Sequence, residues 1–361
     1  MITRWARAQA AAAEQGIDTL IITPGADLRY LTGYHAKPLE RLTALLLPAS
    51  GDPVLVVPEL EVAAAAAAGV AIDIVSWGET EDPFALVASR LPGASRIAVD
   101  DHMWAERVLR LQAAVPSATT SLAGEIIRPL RARKDADEIA CLRDAAQTID
   151  RVHARMAEWL RPGRTEREVG ADIARAIAEE GHTAVDFVIV GSGPNGASPH
   201  HEVSDRAIEP GDPVVVDIGG TMPSGYCSDS TRTYIAGGAA PAAFVDAYGV
   251  LLAAQAAQRA HARAGVPAES VDEVGRRILR DAGYGDLFIH RTGHGIGLET
   301  HEDPYIVDGN AQPLEAGMAF SIEPGFYLAG QYGARIEDIV VVTDDSLEVL
   351  NASPRDLTTL G

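Results

Sequence analysis

The 361-residue chain is poor in cysteine, in basic residues and in long apolar runs, and each shortage closes off a class of protein. Its 2 cysteines, Cys141 and Cys227, stand far apart in no metal-type spacing. Neither a disulfide framework nor a zinc knuckle is expected, and a reducing cytoplasm fits. With 30 Lys and Arg against 51 Asp and Glu, the formal charge is −21, which argues against nucleic acid or an anionic membrane as a partner. That charge suits the gathering of divalent cations, although keeping the protein soluble explains it equally well. No apolar stretch approaches the roughly 20 residues of a membrane span. The segment Met1 to Gly16 carries Arg4, Arg7 and Glu14 among alanines and reads as a helix rather than a signal peptide.

What is present is an ordinary globular composition, 47% hydrophobic and 22% charged, in a chain long enough for two domains. Up to about Leu122, β-branched runs alternate with alanine-rich stretches. Ile17–Thr23, Leu42–Leu47, Val54–Val57, Val70–Val75 and Arg96–Val99 read as strands, and the alanine run 63–68 reads as a helix. This is an α/β domain, assigned to residues 1–129. The basic, proline-containing stretch Arg128 to Lys134 marks the boundary, and Asp135 and Asp137 suit the start of the helix that follows. Residues 130–361 contain helices near 136–160, 166–180, 241–263 and 269–282 between blocks of strands, the pattern of an α+β domain.

Two hairpins carry the chemistry. Val214 to Gly220 is an apolar strand containing Asp217; Pro223-Ser-Gly225 is turn material, and the chain returns through Asp229. A turn centred on Pro223 sets Asp217 directly across from Asp229. Ala319 to Gly325 repeats the device with Glu323, and Ala334 to Val340 returns with Glu337, both acids being seven residues from Gly330. Like charges facing one another among valines and isoleucines are costly to ionise, and two divalent cations would compensate four such carboxylates. A third segment, His290-Arg-Thr-Gly-His-Gly-Ile-Gly297 with His301 and Glu302 downstream, surrounds His294 with glycines that let backbone approach a ligand closely. Imidazole beside carboxylates favours manganese, cobalt, zinc or iron. A further pair, His200 and His201, precedes the first hairpin; His290 reads as structural.

In order along the chain, Asp217-Ile-Gly-Gly, Asp229-Ser-Thr-Arg-Thr, Gly293-His-Gly-Ile-Gly-Leu-Glu-Thr-His-Glu, Ser321-Ile-Glu-Pro-Gly and Arg335-Ile-Glu-Asp resemble the motifs of the pita-bread metallopeptidases (M24). Leu28-Arg-Tyr-Leu-Thr-Gly-Tyr34 resembles the creatinase-type N-terminal domain of prolidase and aminopeptidase P, which points to the Xaa-Pro branch. The resemblance implies a creatinase-like α/β domain followed by an α+β pita-bread catalytic domain. It implies two divalent ions, manganese first, with cobalt or zinc as alternatives. Asp217 would bind one ion, His294 and Glu323 the other, and Asp229 and Glu337 both. His200 and His301 would contact the substrate, Glu323 would shuttle a proton, and Arg335 would steady a metal carboxylate from behind.

A hydroxide bridging the two ions would then attack the bond before proline, in Xaa-Pro dipeptides or at peptide N-termini. A homodimer in the cytoplasm is the expected assembly. One departure stands out: between His301 and Glu323, where prolidases and aminopeptidase P have an arginine, this sequence has none. A dipeptide's carboxylate would need another cation, from Arg29 or a partner subunit. Hydrolase or lyase chemistry on another small amide, and a catalytically silent protein-binding module, are the alternatives. The complete ligand set speaks against the silent module.

Overall fold

The alternation of β-branched and alanine-rich segments becomes, in a computed structural model describing residues 3–361, a first unit spanning Met1–Arg131, followed by a second, Ala132–Gly361. Met1 and Ile2 of the expected N-terminal helix lie outside the described residues. The helix itself, α1 (Arg4–Glu14), begins where the Thr3 hydroxyl accepts from the Ala6 amide.

The first unit continues with β1 (Thr19–Ile22), α2 (Ala26–Thr32), β2 (Ala44–Pro48), β3 (Val54–Pro58), α3 (Val62–Ala67), β4 (Asp73–Trp77), α4 (Pro83–Ser89), β5 (Arg96–Val99), α5 (Ala105–Ala114), β6 (Thr119–Leu122) and α6 (Gly124–Ala132). Its six strands lie in the order β4-β3-β2-β1-β5-β6. The strand expected at Val70–Val75 starts three residues later, because Gly69 closes the preceding helix with φ +69. It then runs on to Trp77, whose indole N–H donates to the Leu42 carbonyl at 2.9 Å. Strand β6 escapes a hydrophobicity pattern because Thr119-Thr-Ser-Leu122 is polar and forms the sheet's edge. The division after Arg131 falls inside the expected boundary stretch Arg128 to Lys134, whose first part is the end of α6, a helix that continues through Pro129. Burial of Ile126 and Ile127 holds that helix despite the missing N–H.

The second unit opens with α7 (Ala136–Ala154), where Asp135 and Glu138 form a reciprocal capping box, and α8 (Glu166–Glu179), where Thr165 and Glu168 do the same. After these come β7 (Ala184–Ser192), β8 (Asp212–Thr221), β9 (Cys227–Ala236), α9 (Ala242–His261), α10 (Ala268–Asp281), β10 (Gly293–Gly295), β11 (Glu302–Ile306), β12 (Ala319–Ile322), β13 (Gly325–Leu328), β14 (Tyr332–Arg335), β15 (Asp338–Val342), β16 (Leu347–Val349) and β17 (Thr358–Leu360). They form three sheets, β17-β9-β8-β7, β11-β10-β12-β15-β16 and β13-β14.

Helices pack against these strands and bury their apolar residues. Val214, Val216 and Ile218 of β8 and Tyr234 and Ala236 of β9 join one apolar cluster with Ile149, Val152, Ile173 and Ile177 of α7 and α8. On β12, Phe320 and Ile322 pack with Val271 of α10. Since neighbours on a strand point to opposite faces, these even-numbered apolar residues consign Asp217, Asp229, Thr231 and Ser321 to the other face. The site is assembled there.

Candidate metal and active site

The odd-numbered face opens into a cavity of about 730 Å³. It is lined by Asp217, Asp229, His294, Glu323 and Glu337, by His200, His201, His290 and His301, by Arg291 and Arg335, and by an apolar wall that includes Phe187, Val188 and Ile189. The candidate ligands, the substrate histidines and Arg335 therefore reach one cavity, but not on equal terms, and Arg29 is not among its lining residues. Asp229, His294 and Glu337, all buried, bring ligand atoms within 4.8 Å of one another, a spacing that one metal ion can span. Glu323 Oε1 lies 3.2 Å from His294 Nε2, and Asp229 Oδ2 lies 3.7 Å from the same nitrogen.

The first hairpin departs from the expected register. Asp217 pairs with Thr231, and Asp229 with Gly219. The turn is the Met222–Gly225 bend, closed by Gly225 N donating to Met222 O at 2.8 Å and centred one residue beyond Pro223. Moving a turn centre by one residue shifts the pairing by two, which preserves the face. Asp217 and Asp229 are therefore diagonal neighbours rather than opposites. In the second hairpin Ile322 pairs with Asp338 and Gly325 with Arg335, so Glu323 and Glu337 occupy matching positions in the break between the two sheets. There the Glu323 amide donates to Thr292 O at 2.8 Å and the Glu337 amide to Thr231 O at 3.1 Å.

Two of the glycines around His294 make room for neighbouring strands. A Cβ on Gly293 would lie 1.8 Å from the Ser321 carbonyl oxygen, and one on Gly295 would lie 2.2 Å from that of Asp303. They let β10 wedge between β12 and β11 and so fix where His294 projects.

The carboxylate that Arg335 holds is Asp217. Glu337, two residues along from Arg335, is held by the Thr231 hydroxyl at 2.8 Å. Arg335 reaches across to Asp217 Oδ2 at 2.5 Å, while donating to Thr231 Oγ1 at 3.1 Å and to the Tyr327 hydroxyl at 2.7 Å. His290, read from sequence as structural, lines the cavity, and its Nε2 lies 2.9 Å from the Tyr327 hydroxyl. Tyr327 lies in none of the quoted motifs, and Thr231, though inside Asp229-Ser-Thr-Arg-Thr, shows its role only in tertiary contact. His201 is tied through Nε2 to Glu166 at 2.7 Å. That same carboxylate accepts from the Ser192 amide, Asn195 and Ser204, bracing the loop that carries both His200 and His201.

The electrostatics are discordant without a cation. Burial, followed by the charges of Glu337, Asp217 and Glu323, pushes Asp229 far above the ordinary carboxylate range. Burial, followed by Glu323 and Asp217, does the same to Glu337. Burial also opposes ionisation of Glu323, but the hydrogen bond and charge of His294 outweigh it and hold this carboxyl low. Asp217 Oδ1 is buried with no hydrogen-bond partner among the described residues, a position that costs free energy unless something fills it. An orphaned carboxylate oxygen beside a buried Asp-His-Glu group is a donor set that divalent cations fit.

Comparison with known proteins agrees with this donor set. Residues 140–344 match the model of metallopeptidase family M24, and residues 4–133 match the creatinase/prolidase N-terminal domain. The chain belongs to metallopeptidase family M24. It is 52% identical over 358 residues to a probable dipeptidase PepE of Mycobacterium tuberculosis, covering 98% of this chain and 95% of that protein. The crystal structure of dipeptidase PepE from Mycobacterium ulcerans superposes with a TM-score of 0.93 at 52% identity, covering 99% of this chain and 97% of that one. Prolidase from Thermococcus sibiricus gives 0.92 at 37% identity, covering 99% and 98%. The fold of this M24 peptidase is thus a creatinase-type N-terminal domain followed by a pita-bread catalytic domain.

Proposed function

We propose that this M24 peptidase is a two-metal enzyme that hydrolyses the bond before proline in Xaa-Pro dipeptides, working as a cytoplasmic homodimer. The observation that carries the reading is the buried, unpartnered Asp217 oxygen in a cavity with Asp229, His294, Glu323 and Glu337. The apolar wall of Phe187, Val188 and Ile189 suits a pyrrolidine ring, which has no N–H to satisfy. Similarity to a dipeptidase and a prolidase supports the substrate class. Two unpaired cysteines, and the lack among the described residues of a helix long and apolar enough to cross a membrane, are compatible with the compartment.

Asp217, Asp229, His294, Glu323 and Glu337 would hold the ions, manganese in the first instance, which when bound activate water and polarise the scissile carbonyl. Glu323 takes the water's proton and returns it to the leaving nitrogen; Ser321 Oγ, 2.9 Å from its Oε1, fixes the carboxylate's orientation. His301 and His200, both exposed to the cavity, face the carbonyl oxygen as donors. Arg335 keeps one oxygen of Asp217 occupied and leaves the other directed at the site.

Enzyme reconstituted with manganese is expected to bind about two ions per chain by elemental analysis and to release proline from Ala-Pro. Glu323→Gln should lose at least about a hundredfold in kcat. Metal-loaded enzyme that turns over no member of an Xaa-Pro panel would end the reading. Light scattering that returns the mass of a single chain would end the dimer.

A further inference from the structure

The cavity is acidic, and a dipeptide brings an acid of its own. Asp217, Asp229, Glu323, Glu337 and Glu202 all line it, so a substrate ending in a free carboxylate meets repulsion unless a cation receives that end. Of the two guanidinium groups present, Arg335 is already committed to Asp217, Thr231 and Tyr327. Arg291 is not. Among the described residues it has no carboxylate partner, in a chain where acids outnumber bases 51 to 30. Its guanidinium carbon instead lies over the Tyr305 ring, 4.5 Å from the centroid, a cation–π contact that uses the face of the ring and none of the N–H donors.

The backbone beneath Arg291 is tightly held. The Thr292 amide donates to Asp272 Oδ1 at 3.0 Å, the Thr292 carbonyl accepts from Glu323, and His290 Nδ1 lies 2.7 Å from the Arg291 carbonyl. The side chain thus springs from a fixed backbone, two residues before β10 and three before His294. It also neighbours His301, whose ring is held below its ordinary pKa by desolvation first and then by His294 and Arg291. The His301 ring centroid is 4.1 Å from that of His294. Arg291 therefore borders the part of the cavity where the carbonyl would be polarised, and the carboxylate of a dipeptide lies only one residue beyond that carbonyl.

We propose that Arg291, stacked on Tyr305, receives the C-terminal carboxylate of a dipeptide and thereby selects dipeptides over longer peptides. This rests on the peptidase reading above and adds to it a chain-length rule with a named residue. An arginine–carboxylate contact can be bidentate, and the aromatic platform removes the rotamer freedom that such a contact would otherwise have to freeze. An amide or a further residue in place of the carboxylate forfeits the ionic part of the contact and sets a neutral group against a cation that nothing else neutralises.

The experiment compares Ala-Pro with Ala-Pro-amide, and Ala-Leu with its amide, on the manganese-loaded enzyme and on Arg291→Ala and Arg291→Lys, each checked for an unchanged melting curve. The wild type is expected to favour each dipeptide over its amide. In Arg291→Ala the KM for the dipeptide should rise about ten- to hundredfold, with little change for the amide or in kcat, the size expected for a hydrogen-bonded charged contact. Arg291→Lys should recover part of the preference. A dipeptide-to-amide ratio that is the same in wild type and Arg291→Ala overturns the proposal. Cleavage of Ala-Leu but not Ala-Pro would sink the proline reading and leave the role of Arg291 to the Ala-Leu pair. If neither dipeptide is cleaved, calorimetric binding of the same pairs to the loaded enzyme decides, because the carboxylate preference must still vanish in Arg291→Ala.

Discussion

Arg335 shows how much of this site is arranged by residues that no motif marks as ligands. Its charge is buried, 2% exposed, and it is kept protonated against the cost of desolvation by Tyr327, Asp217 and the other site carboxylates. Its several bonds use the breadth of a guanidinium, which a lysine ammonium cannot reproduce from one point. Arg335→Lys is accordingly expected to keep the fold but to weaken divalent-ion binding about ten- to hundredfold, the usual consequence of disturbing a group behind a metal ligand. Competition with a chelating dye would measure it, and an unchanged affinity would mean that Asp217 is oriented by something else. The carboxylates themselves were legible in the sequence because they sit in or beside the strands of two hairpins whose neighbouring residues are largely apolar. Tyr327 was not, since nothing local distinguishes it from an ordinary strand residue, and the contacts of Thr231, His290 and Arg291 were not, although all three stand inside quoted segments. Glu166, 35 residues from the His201 that it holds, is equally silent.

At the scale of elements, the error in the first hairpin's register is instructive. One residue of uncertainty in a turn centre moves every pair by two, and a shift of two leaves every side chain on its face. Asp217 and Asp229 therefore met in the same cavity although the pairing was wrong. The second hairpin was read in register, but its split into separate sheets around Glu323 and Glu337 was not visible, because Pro324 and Gly325 look like simple turn material. The three-residue strand β10 is the most constrained element of the site. Gly293→Ala would drive a methyl into the Ser321 carbonyl, and prying β10 from β12 would displace His294. The expected result is a loss of about 1–3 kcal/mol of stability, typical of overpacking, together with weaker metal binding. Chemical denaturation with and without manganese separates the two effects. A variant as stable as the wild type would show that β10 has slack.

For the whole molecule, the candidate ligands run from Asp217 to Glu337 and come from β8, β9, β10 and the break in the second hairpin. Ions bound there would tie together segments that are distant in sequence, and folding would be linked to metal concentration. At free metal one hundred times a site's dissociation constant, the gain is about 2.7 kcal/mol. Chelation should therefore lower the melting temperature by several degrees and restoring manganese should recover it. A melting curve indifferent to metal would argue against ligation across these strands. The two-domain order and the α/β and α+β characters were readable from periodicity. The persistence of α6 through Pro129 was not, because a proline ordinarily signals a break.

The solitary guanidinium of Arg291 has a further consequence, because cleavage does not remove the group it is proposed to hold. The amino acid released from a dipeptide keeps its carboxylate, so the product leaves the cavity against the same attraction that drew the substrate in. Free proline should then compete with substrate, prolinamide should compete far less, and Arg291→Ala should relieve the inhibition in steady-state assays. Equal inhibition by both compounds would contradict this. An enzyme built in this way would slow as its own product accumulates, so that its throughput follows the size of the amino-acid pool that it feeds.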